Sequence, residues 1–484
     1  MNRNNFLPHI ALAVVLILVA AFAGQLRRWQ RYEWKSHVRI FPGASKRAFM
    51  KDEQIGRADT HAVAMPEVLV RFKPGVSEET IQEITARFHD QVEDEIEAVP
   101  GLDAIDDLDD ANADDVVAQY RALPEVEYAE KNAEISLVEP GEESTSSADQ
   151  SDNSTAADHV HPQDPRFEEQ WALDNHGQAG GKEGADISAV RAWSVATGNE
   201  DIVVAVIDTG VDYTHTDLAN NIWIRPASIP PYEDRELGTI QDIHGYNALE
   251  NDADPMDENG HGTHCAGIIG AEGGNNLGIT GVNWKVQIMP LKFMNAGGFG
   301  NTKDAIECIN YVIDRRNKGV NVRVISASWG STVKSRALED VIRKAYECGI
   351  LFVAASGNAS ANTDRSPHYP SSYNLKNVIS VAALDRNDEL ASFSNYGPNS
   401  VMIAAPGKDI LSTWLNNDYE AHSGTSMATP VVAGVAALVL SKQPKLSIDE
   451  LRKKLFESVD KLDSLKGRVV TGGRINAAKA VGAQ

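Results

Sequence analysis

The run Ile202-Val-Val-Ala-Val-Ile207 has the length and the unbroken apolar character of a β-strand that is buried on both faces. Five similar runs follow it along the chain, at residues 286–291, 322–325, 350–354, 378–381 and 401–404. Apolar residues with helical spacing lie between them, at 303–317 and 336–347. Such strands, joined by helices, predict an α/β fold in which helices cover both faces of a parallel sheet. The reactive groups of such a sheet lie at the carboxyl ends of its strands.

Composition and charge restrict the classes of function. The chain has 484 residues and is 42% hydrophobic, which is enough for one large core and smaller domains. Its net charge of −24 argues against nucleic acid as a partner. The three cysteines, Cys265, Cys308 and Cys348, are too few for a disulfide framework, and a single bridge stays open. We expect an acidic monomer that does not bind nucleic acid.

The N-terminus is typical of an exported chain. Residues 10–23 form an apolar run, shorter than the about 20 residues that a spanning helix needs. The run ends in Ala21-Phe-Ala23, which fits a signal-peptide cleavage site, whereas the basic residues that follow it fit a retained anchor. Residues 1–23 are therefore predicted to be a signal peptide or a membrane anchor. The rest would be extracellular, periplasmic or anchored to the membrane, and residues 24–65 are predicted to be a spacer.

Residues 66–138 are predicted to form a small α+β domain. A strand is expected at 68–72, where apolar residues alternate, and another begins at 127. Helical spacing occurs at 78–88 and at 114–123.

Two acidic segments accompany this domain. The first, between Glu93 and Asp115, contains eleven Asp or Glu residues and no Lys or Arg, and we interpret it as a solvated loop rather than a metal site. The second, residues 139–163, is rich in Ser, Glu and Asp and has almost no apolar residues. It is predicted to be a disordered linker that a protease can cut, followed by the large domain at 164–484.

The segment Gly424-Thr-Ser-Met-Ala-Thr-Pro430 is followed directly by another long apolar run. Proline suits the first turn of a helix, so Pro430 predicts a helix start here. Ser426, just ahead of that turn, would lie among free backbone N–H groups, where an oxyanion needs donors. A lone serine at such a place is more often a helix cap. Its role therefore depends on whether a base and an acid exist elsewhere.

The sequence contains a candidate acid and two candidate bases for Ser426. Asp208 ends the first strand, where a buried carboxylate needs a donor such as an imidazole N–H. The segment Gly260-His-Gly-Thr-His-Cys-Ala-Gly267 supplies two imidazoles at a helix start. A metal site of His261, His264 and Cys265 is an alternative, but this is not the i, i+4 histidine pair of zinc hydrolases. We favour one histidine as a general base and the other as a buried structural group.

The order Asp208, His261, Ser426 is that of subtilisin. The segments Asp208-Thr-Gly-Val-Asp212, Gly260 to Gly267 and Gly424 to Pro430 are similar to the three active-site signatures of the subtilisin-like serine proteases, the subtilases. The resemblance covers about residues 164 to 482. It implies that Ser426 attacks the peptide carbonyl, that His261 transfers the proton and that Asp208 orients His261. It also implies Asn358 as the side-chain donor to the oxyanion, and His264 as structural.

The resemblance also implies a substrate-binding cleft for proteins and peptides. An extended substrate would lie between two edges, formed by Gly298, Phe299 and Gly300 on one side and by Ser328, Trp329 and Gly330 on the other. The specificity pocket would lie between 326–330 and 355–358. His368 would reach its floor, where the family has a small residue. The alternative for Trp329 is a side chain that simply packs on the surface.

Calcium is the structural cofactor that the resemblance implies, since hard cations need several oxygen ligands. The loop at 272–279 resembles the calcium loop of thermitase-like subtilases. The implied ligands are the side chains of Asp164, Asp217 and Asn275 and the carbonyls of Glu272, Leu277 and Ile279. A weaker second site, for which a solvated acidic loop is an equal alternative, comprises Asn247, Glu250, Asp252 and Asp254.

The same resemblance implies that the domain at 66–138 is an inhibitory propeptide. It would act as an intramolecular inhibitor until the linker is cut, so the chain would be a zymogen that processes itself. Two other functions are considered: a peptide-binding pseudoprotease with a vestigial triad, and a metal-dependent hydrolase at His261 and His264.

Overall fold

The computed structural model describes residues 67–137, 140 and 161–483. The segment at 1–23, the spacer at 24–65 and most of the linker at 139–163 lie outside the described residues, so these assignments stay predictions. Within the described residues, one helix, Thr425–Lys442, is long and apolar enough to cross a membrane. Because 89% of it is buried inside the protein, it is a core helix of the large domain.

The N-terminal domain is a four-stranded antiparallel sheet with two helices on one face. The strands are in the order β2-β3-β1-β4. Its elements are β1 (Glu67–Phe72), α1 (Glu78–Phe88), β2 (Asp90–Glu95), β3 (Leu102–Asp107), α2 (Ala113–Arg121) and β4 (Val126–Lys131). One face of β1 buries Val68 and Val70 beneath the helices. The other face, which includes Leu69, packs against the large domain.

The interpretation of the acidic segment as a solvated loop was wrong. It contains the end of β2 and all of β3, and the Asp94 and Asp103 side chains in it are buried. Leu102 and Ala104 face the large domain, whereas Ile105 faces the helices. This alternation is the pattern of a strand, and the high charge concealed it. Lys303 of the large domain lies 3.4 Å from the Asp94 carboxylate.

The large domain is built on a nine-stranded sheet in the order β18-β19-β15-β14-β13-β12-β6-β10-β9. All neighbouring strands are parallel except β18 and β19. The sheet consists of β6 (Gly198–Asp208), β9 (Tyr246–Asn247), β10 (Lys285–Lys292), β12 (Val322–Ala327), β13 (Leu351–Ala355), β14 (Val378–Leu384), β15 (Ile403–Pro406), β18 (Asp460–Lys461) and β19 (Gly473–Arg474). The predicted parallel sheet is therefore confirmed.

Helices cover both faces of this sheet, as predicted. They are α3 (Ala189–Trp193), α4 (His261–Gly270), α5 (Thr302–Asn317), α6 (Arg336–Glu347), α7 (Thr425–Lys442), α8 (Ile448–Glu457) and α9 (Ala477–Val481). Short strands outside the main sheet form three pairs. These strands are β5 (Glu134–Ser136), β7 (Tyr232–Asp234), β8 (Gly238–Ile240), β11 (Phe299–Asn301), β16 (Ile410–Trp414) and β17 (Asp418–His422).

Alternate residues of β6 belong to two different cores. Val204 and Val206 pack with α4 and α7 on one face of the sheet. Val203 and Ala205 pack on the other face with α5, α6 and the N-terminal domain. A strand with a core on each side has no polar face, which is why the run at 202–207 is apolar throughout.

Candidate active site

Asp208 and His261 form a buried pair at the carboxyl end of β6. The Asp208 Oδ1 atom is 2.7 Å from His261 Nδ1 and also accepts the Thr209 N–H at 2.8 Å. Asp208 is fully buried and His261 is 5% exposed. The Asp208 carboxylate thereby orients the His261 imidazole through Nδ1.

A glycine allows the helix that carries His261 to approach the strand that carries Asp208. A Cβ atom added at Gly262 would lie 2.0 Å from the Gly210 carbonyl oxygen and 3.1 Å from the Asp208 Cβ. No side chain fits there, so the small residues around His261 serve close packing between α4 and β6.

Ser426 lies inside the first turn of α7, and not ahead of it. The helix begins at Thr425, which places Pro430 within the helix rather than in its first turn, contrary to our expectation. The N–H of Ser426 has no carbonyl four residues earlier in the helix to bond, so it is one of the free donors of the first turn. The position near a helix start was correct, but the serine is not the cap residue.

The internal proline has a local consequence. Because Pro430 has no N–H, the Ser426 carbonyl lacks its usual helical donor. It accepts instead from the Ser328 hydroxyl at 2.8 Å and from the Cys265 thiol at 3.5 Å. In return, the Ser426 Oγ donates to the Ser328 carbonyl at 3.1 Å. The start of α7 is thus tied to the strand edge at Ser328 and to the helix that carries His261.

Asn358 has a defined orientation beside Ser426. Its Oδ1 atom accepts both the N–H and the hydroxyl of Thr425, each at 2.9 Å. The amide nitrogen therefore points the other way, towards Gly424. Asn358, His261 and Ser426 line one pocket together. Thr425 is a positioning residue that the sequence analysis missed; its place next to the candidate serine was the available signal.

The histidine that we assigned to a structural role is buried. His264 Nε2 lies 3.0 Å from the Glu420 carbonyl, and burial lowers the pKa of this histidine to about 3. A metal site of His261, His264 and Cys265 fits poorly, because the His264 ring faces Glu420. The structure does bring Cys265 close to Asp208 and His261, but burial raises the pKa of the Cys265 thiol well above its usual value. A protonated thiol is a poor metal ligand. All three cysteines, which the structure describes, are free thiols.

The cleft between the two predicted edges is occupied by the end of the N-terminal domain. β5 pairs antiparallel with β11, Ser136 bridges to Gly330, and the Leu137 N–H donates to the Gly298 carbonyl at 2.9 Å. Leu137 and Pro140 line the pocket that contains Ser426. A segment of the chain therefore lies where an extended substrate was expected, in the strand-addition mode. The sequence analysis did not identify β5, which is only three residues long.

The predicted specificity pocket brings His368 and Gly330 together. Both line one pocket with Ser328, Asn358 and Ser426. A Cβ atom at Gly330 would lie 2.2 Å from the His368 ring, so only glycine leaves room for that ring. Burial lowers the pKa of His368 to about 4, which makes this part of the pocket neutral at physiological pH.

Trp329 does not pack on the surface. Its side chain is 2% exposed, its indole N–H donates to the Ile207 carbonyl at 2.7 Å, and its ring lies 4.8 Å from the Phe293 ring. On the opposite edge, Phe299 is exposed. The backbone around Trp329 forms the edge, while its side chain anchors that edge to the core.

The residues of the predicted calcium loop converge. Asp164 and Asp217 are buried, and the Asn275 amide nitrogen lies 2.7 Å from Asp217 Oδ1. Asp164 accepts the backbone N–H groups of Gly274 and Asn275, and Asp217 accepts that of Ile279 at 3.0 Å.

The chemistry of this loop fits a hard cation. Burial raises the pKa of Asp217 to about 6 and that of Asp164 above its usual range. A bound cation would offset this cost, because two carboxylates and an amide supply the oxygens that calcium prefers. The Glu272 carboxylate is not aimed at the loop, since it accepts from Asn220 at 2.7 Å, and only its carbonyl was predicted as a ligand.

The second predicted site is held by its own hydrogen bonds. Asn247 donates its amide to Asp252 at 3.1 Å, and Asp254 accepts the Tyr213 hydroxyl at 2.9 Å. The Glu250 N–H donates to the Asn247 side chain at 3.3 Å. Each of these contacts is also expected of an acidic loop without a cation, so the site stays a prediction.

A parallel α/β sheet with a buried Asp–His pair and a serine in the first turn of a core helix defines the serine hydrolase class. The chain belongs to the subtilase family of serine proteases, because residues 199–472 match the pattern of the Subtilase family. Residues 51–132 match the Fervidolysin N-terminal prodomain. We refer to the N-terminal domain as the prodomain and to the large domain as the peptidase domain.

Named relatives agree with this assignment. The chain is 40% identical over 290 residues to the Thermophilic serine proteinase of Bacillus sp. (strain AK1), covering 60% of this chain and 64% of the relative. It is 38% identical over 295 residues to Thermitase of Thermoactinomyces vulgaris, covering 61% and 93%. Among solved structures, a protease from Pseudoalteromonas arctica PAMC 21717 matches with a TM-score of 0.55 and 28% identity, over 66% of this chain and 99% of that one.

Proposed function

We propose that this subtilase is an exported serine endopeptidase that is made as an inhibited precursor and cleaves itself. The observation that carries the proposal is the position of β5 and Leu137 between the two edges of the cleft, next to the pocket of Ser426. The segment lies as a substrate would, and the prodomain that carries it is linked covalently to the peptidase domain.

The proposed reaction uses the Asp208–His261 pair together with Ser426 and Asn358, which line one pocket with His261. Ser426 Oγ attacks the peptide carbonyl while His261 Nε2 takes its proton, and Asp208 stabilises the imidazolium through Nδ1. His261 then protonates the leaving amine, and water hydrolyses the resulting acyl-enzyme by the reverse proton path. The oxyanion accepts hydrogen bonds from the Asn358 amide and from the free N–H of Ser426. The bond from Thr425 to Asn358 supports this role, because it turns the amide nitrogen towards the pocket.

The inhibited state is supported by contacts that lie away from the cleft. The Glu130 carboxylate accepts the N–H of Arg336 at 2.9 Å and that of Ala337 at 3.1 Å, at the start of α6. Asn132 accepts the Lys303 N–H at 2.9 Å, at the start of α5. The prodomain thus caps two helices of the peptidase domain, and these bonds would favour docking and folding of that domain.

A structural calcium ion is part of the proposal. Asp164, Asp217 and Asn275 would hold it, and the ion would supply the positive charge that these buried oxygens need. Removing calcium should lower the unfolding midpoint of the chain by mass action. Asp217→Asn should reduce this calcium dependence, because it removes a carboxylate from the ligand set of this loop.

Self-processing and the hydrolase chemistry can be tested on one pair of proteins. Wild-type chain should react with a fluorophosphonate at Ser426 and should lose its prodomain, with cleavage between Leu137 and Pro140. Ser426→Ala should remain full length and unlabelled. N-terminal sequencing of the mature form gives the cleavage position, and sequencing of the exported Ser426→Ala protein gives the fate of residues 1–23. A wild-type chain that is folded but neither labelled nor processed would support the pseudoprotease.

A further inference from the structure

Three buried carboxylates meet where the prodomain contacts the peptidase domain. Asp94 comes from β2 of the prodomain, Asp234 from the end of β7 and Glu307 from α5. One oxygen of each lies within 4.8 Å of those of the other two. Their exposed fractions are 6%, 4% and 1%. We call these three residues the interdomain carboxylates.

Hydrogen bonds do not satisfy the interdomain carboxylates. Within the described residues, neither oxygen of Glu307 accepts a hydrogen bond, and neither Asp94 Oδ1 nor Asp234 Oδ2 does so. The other Asp234 oxygen accepts the N–H groups of Glu236 and Leu237. A buried carboxyl group without a partner is costly whether it is ionised or protonated, because both forms need hydrogen bonds.

The neighbouring cations do not neutralise this group. Lys303 Nζ lies 3.4 Å from Asp94 and 3.2 Å from Glu93, so its single charge is shared with a fourth carboxylate. Arg235 pairs with Glu95 and Glu78 instead. Three buried carboxyl groups and Glu93 therefore face one ammonium group.

We propose that Asp94, Asp234 and Glu307 bind a divalent cation, calcium by the chemistry of the site, that joins the prodomain to the peptidase domain. Calcium takes carboxylate oxygens at about 2.3–2.6 Å, so oxygens up to about 4.8 Å apart can share one ion. Glu97 and Glu236 are exposed beside Asp234 and form an acidic entry from solvent. The site is distinct from the loop of Asp164 and Asp217, because Asp94 belongs to the prodomain.

The position of the site has a regulatory consequence. The ion contacts both domains, so it stabilises the inhibited precursor and loses one of its three carboxylates when the prodomain leaves. Calcium would then strengthen prodomain binding in addition to stabilising the mature enzyme. The inference needs the contact between the domains, and it does not depend on the chemistry of Ser426.

The test uses the full-length Ser426→Ala chain, in which processing is blocked. Bound calcium is measured by equilibrium dialysis at pH 8 in this chain and after adding Asp94→Asn or Glu307→Gln. Asp90→Asn is the matched control, since it changes a buried carboxylate on the same strand whose bond to the Tyr120 hydroxyl, 2.6 Å long, stays within the prodomain. The expected result is one calcium ion fewer per chain in either test variant, with no loss in the control.

A second measurement separates this ion from the loop ion. Asp217→Asn should remove a different ion, so its combination with Glu307→Gln should lose two. Equal calcium binding by the Glu307→Gln and Asp90→Asn proteins would overturn the proposal. It would also be overturned if Asp94→Asn raised the unfolding midpoint in calcium-free buffer without changing the amount of bound calcium, since that result indicates shared protons. Because all variants lack Ser426, a failed peptidase assay of the wild-type chain leaves these outcomes unaffected.

Discussion

The cleft and the interface beneath the prodomain both bury charged groups, but they stabilise them in different ways. In the cleft, Asp208 pairs with His261 and Asn358 with Thr425, and all four residues belong to the peptidase domain. At the interface, Asp94 of the prodomain faces Glu307 of the peptidase domain with no hydrogen bond between them. The cleft is complete within one domain, whereas the interface has its full set of charges only when both domains are present.

The difference has a physical origin. In the proposed maturation, the cleft keeps its geometry after the prodomain has gone, and its partners come from the sheet and from the helices that pack on it. The interface would then exist only in the precursor, so it can include carboxylates that only the proposed ion holds together. Solvation by water replaces those contacts when the domains separate.

The largest effect is expected in the cleft. Ser426→Ala should lower kcat on a peptide substrate by on the order of 10⁶-fold, because the nucleophile is lost. Steady-state kinetics measure this loss. A variant that still cleaves peptides within 100-fold of wild type would contradict the assignment.

Substitutions of the residues around the serine should have smaller and graded effects. Asp208→Asn should cost about 10⁴-fold in kcat, since the amide favours the wrong tautomer of His261. Asn358→Ala should cost about 10²–10³-fold in kcat with little change in KM, because the donor acts on the oxyanion. Asn362→Ala is the control, since Asn362 is not among the residues that line the pockets at Ser426, and it should leave kcat unchanged. An increase in KM without a fall in kcat in Asn358→Ala would rule out the oxyanion role.

At the interface, Glu130→Gln should weaken the prodomain cap on α6 by about 1 kcal/mol. In full-length Ser426→Ala protein, hydrogen exchange at the Arg336 and Ala337 amides should become roughly fivefold faster, which corresponds to that free energy. Glu79→Gln, an exposed change on α1, should leave both amides unchanged. Unchanged exchange in Glu130→Gln would show that the cap does not stabilise the helix.

A further effect is a pH dependence within the prodomain. Burial raises the pKa of Asp90 from 3.8 to about 6, against the hydrogen bond from Tyr120, which lowers it. The folded state therefore holds a proton that the unfolded state releases, so this contribution to stability is complete below about pH 4 and is lost as the pH rises to about 6. Asp90→Asn should reduce the slope of the unfolding free energy over that range in Ser426→Ala protein. Urea titrations at pH 4, 5 and 6 measure it, and an unchanged slope would contradict the assignment.

The difference between the cleft and the interface also explains which parts of the fold and of the site could be predicted from the sequence. The strands of the main sheet are apolar on both sides, and the helices between them have regular spacing, so both were recognisable from single segments. Asp208 ends such a strand, and His261 and Ser426 lie in the first turn of such a helix, each within a short motif. The segment between Glu93 and Asp115 was misread because its carboxylates face another domain, which local patterns do not report.

Other features of the structure depend on contacts between residues that are distant in the chain. Pro430 inside α7 is tolerated because Ser328, about a hundred residues away, supplies a donor to the Ser426 carbonyl. Trp329 is buried because the Ile207 carbonyl accepts its N–H. No pattern within ten residues of either position contains that information.

The sequence by itself determined the parallel sheet, the family and the identity of the candidate triad, because periodicity and short motifs are local properties of the chain. Only the tertiary structure decided that β5 fills the cleft and that Asp94 meets Asp234 and Glu307. Electrostatic and hydrogen-bond partners of these groups lie far away in the chain, and their energies depend on burial that only the folded protein provides.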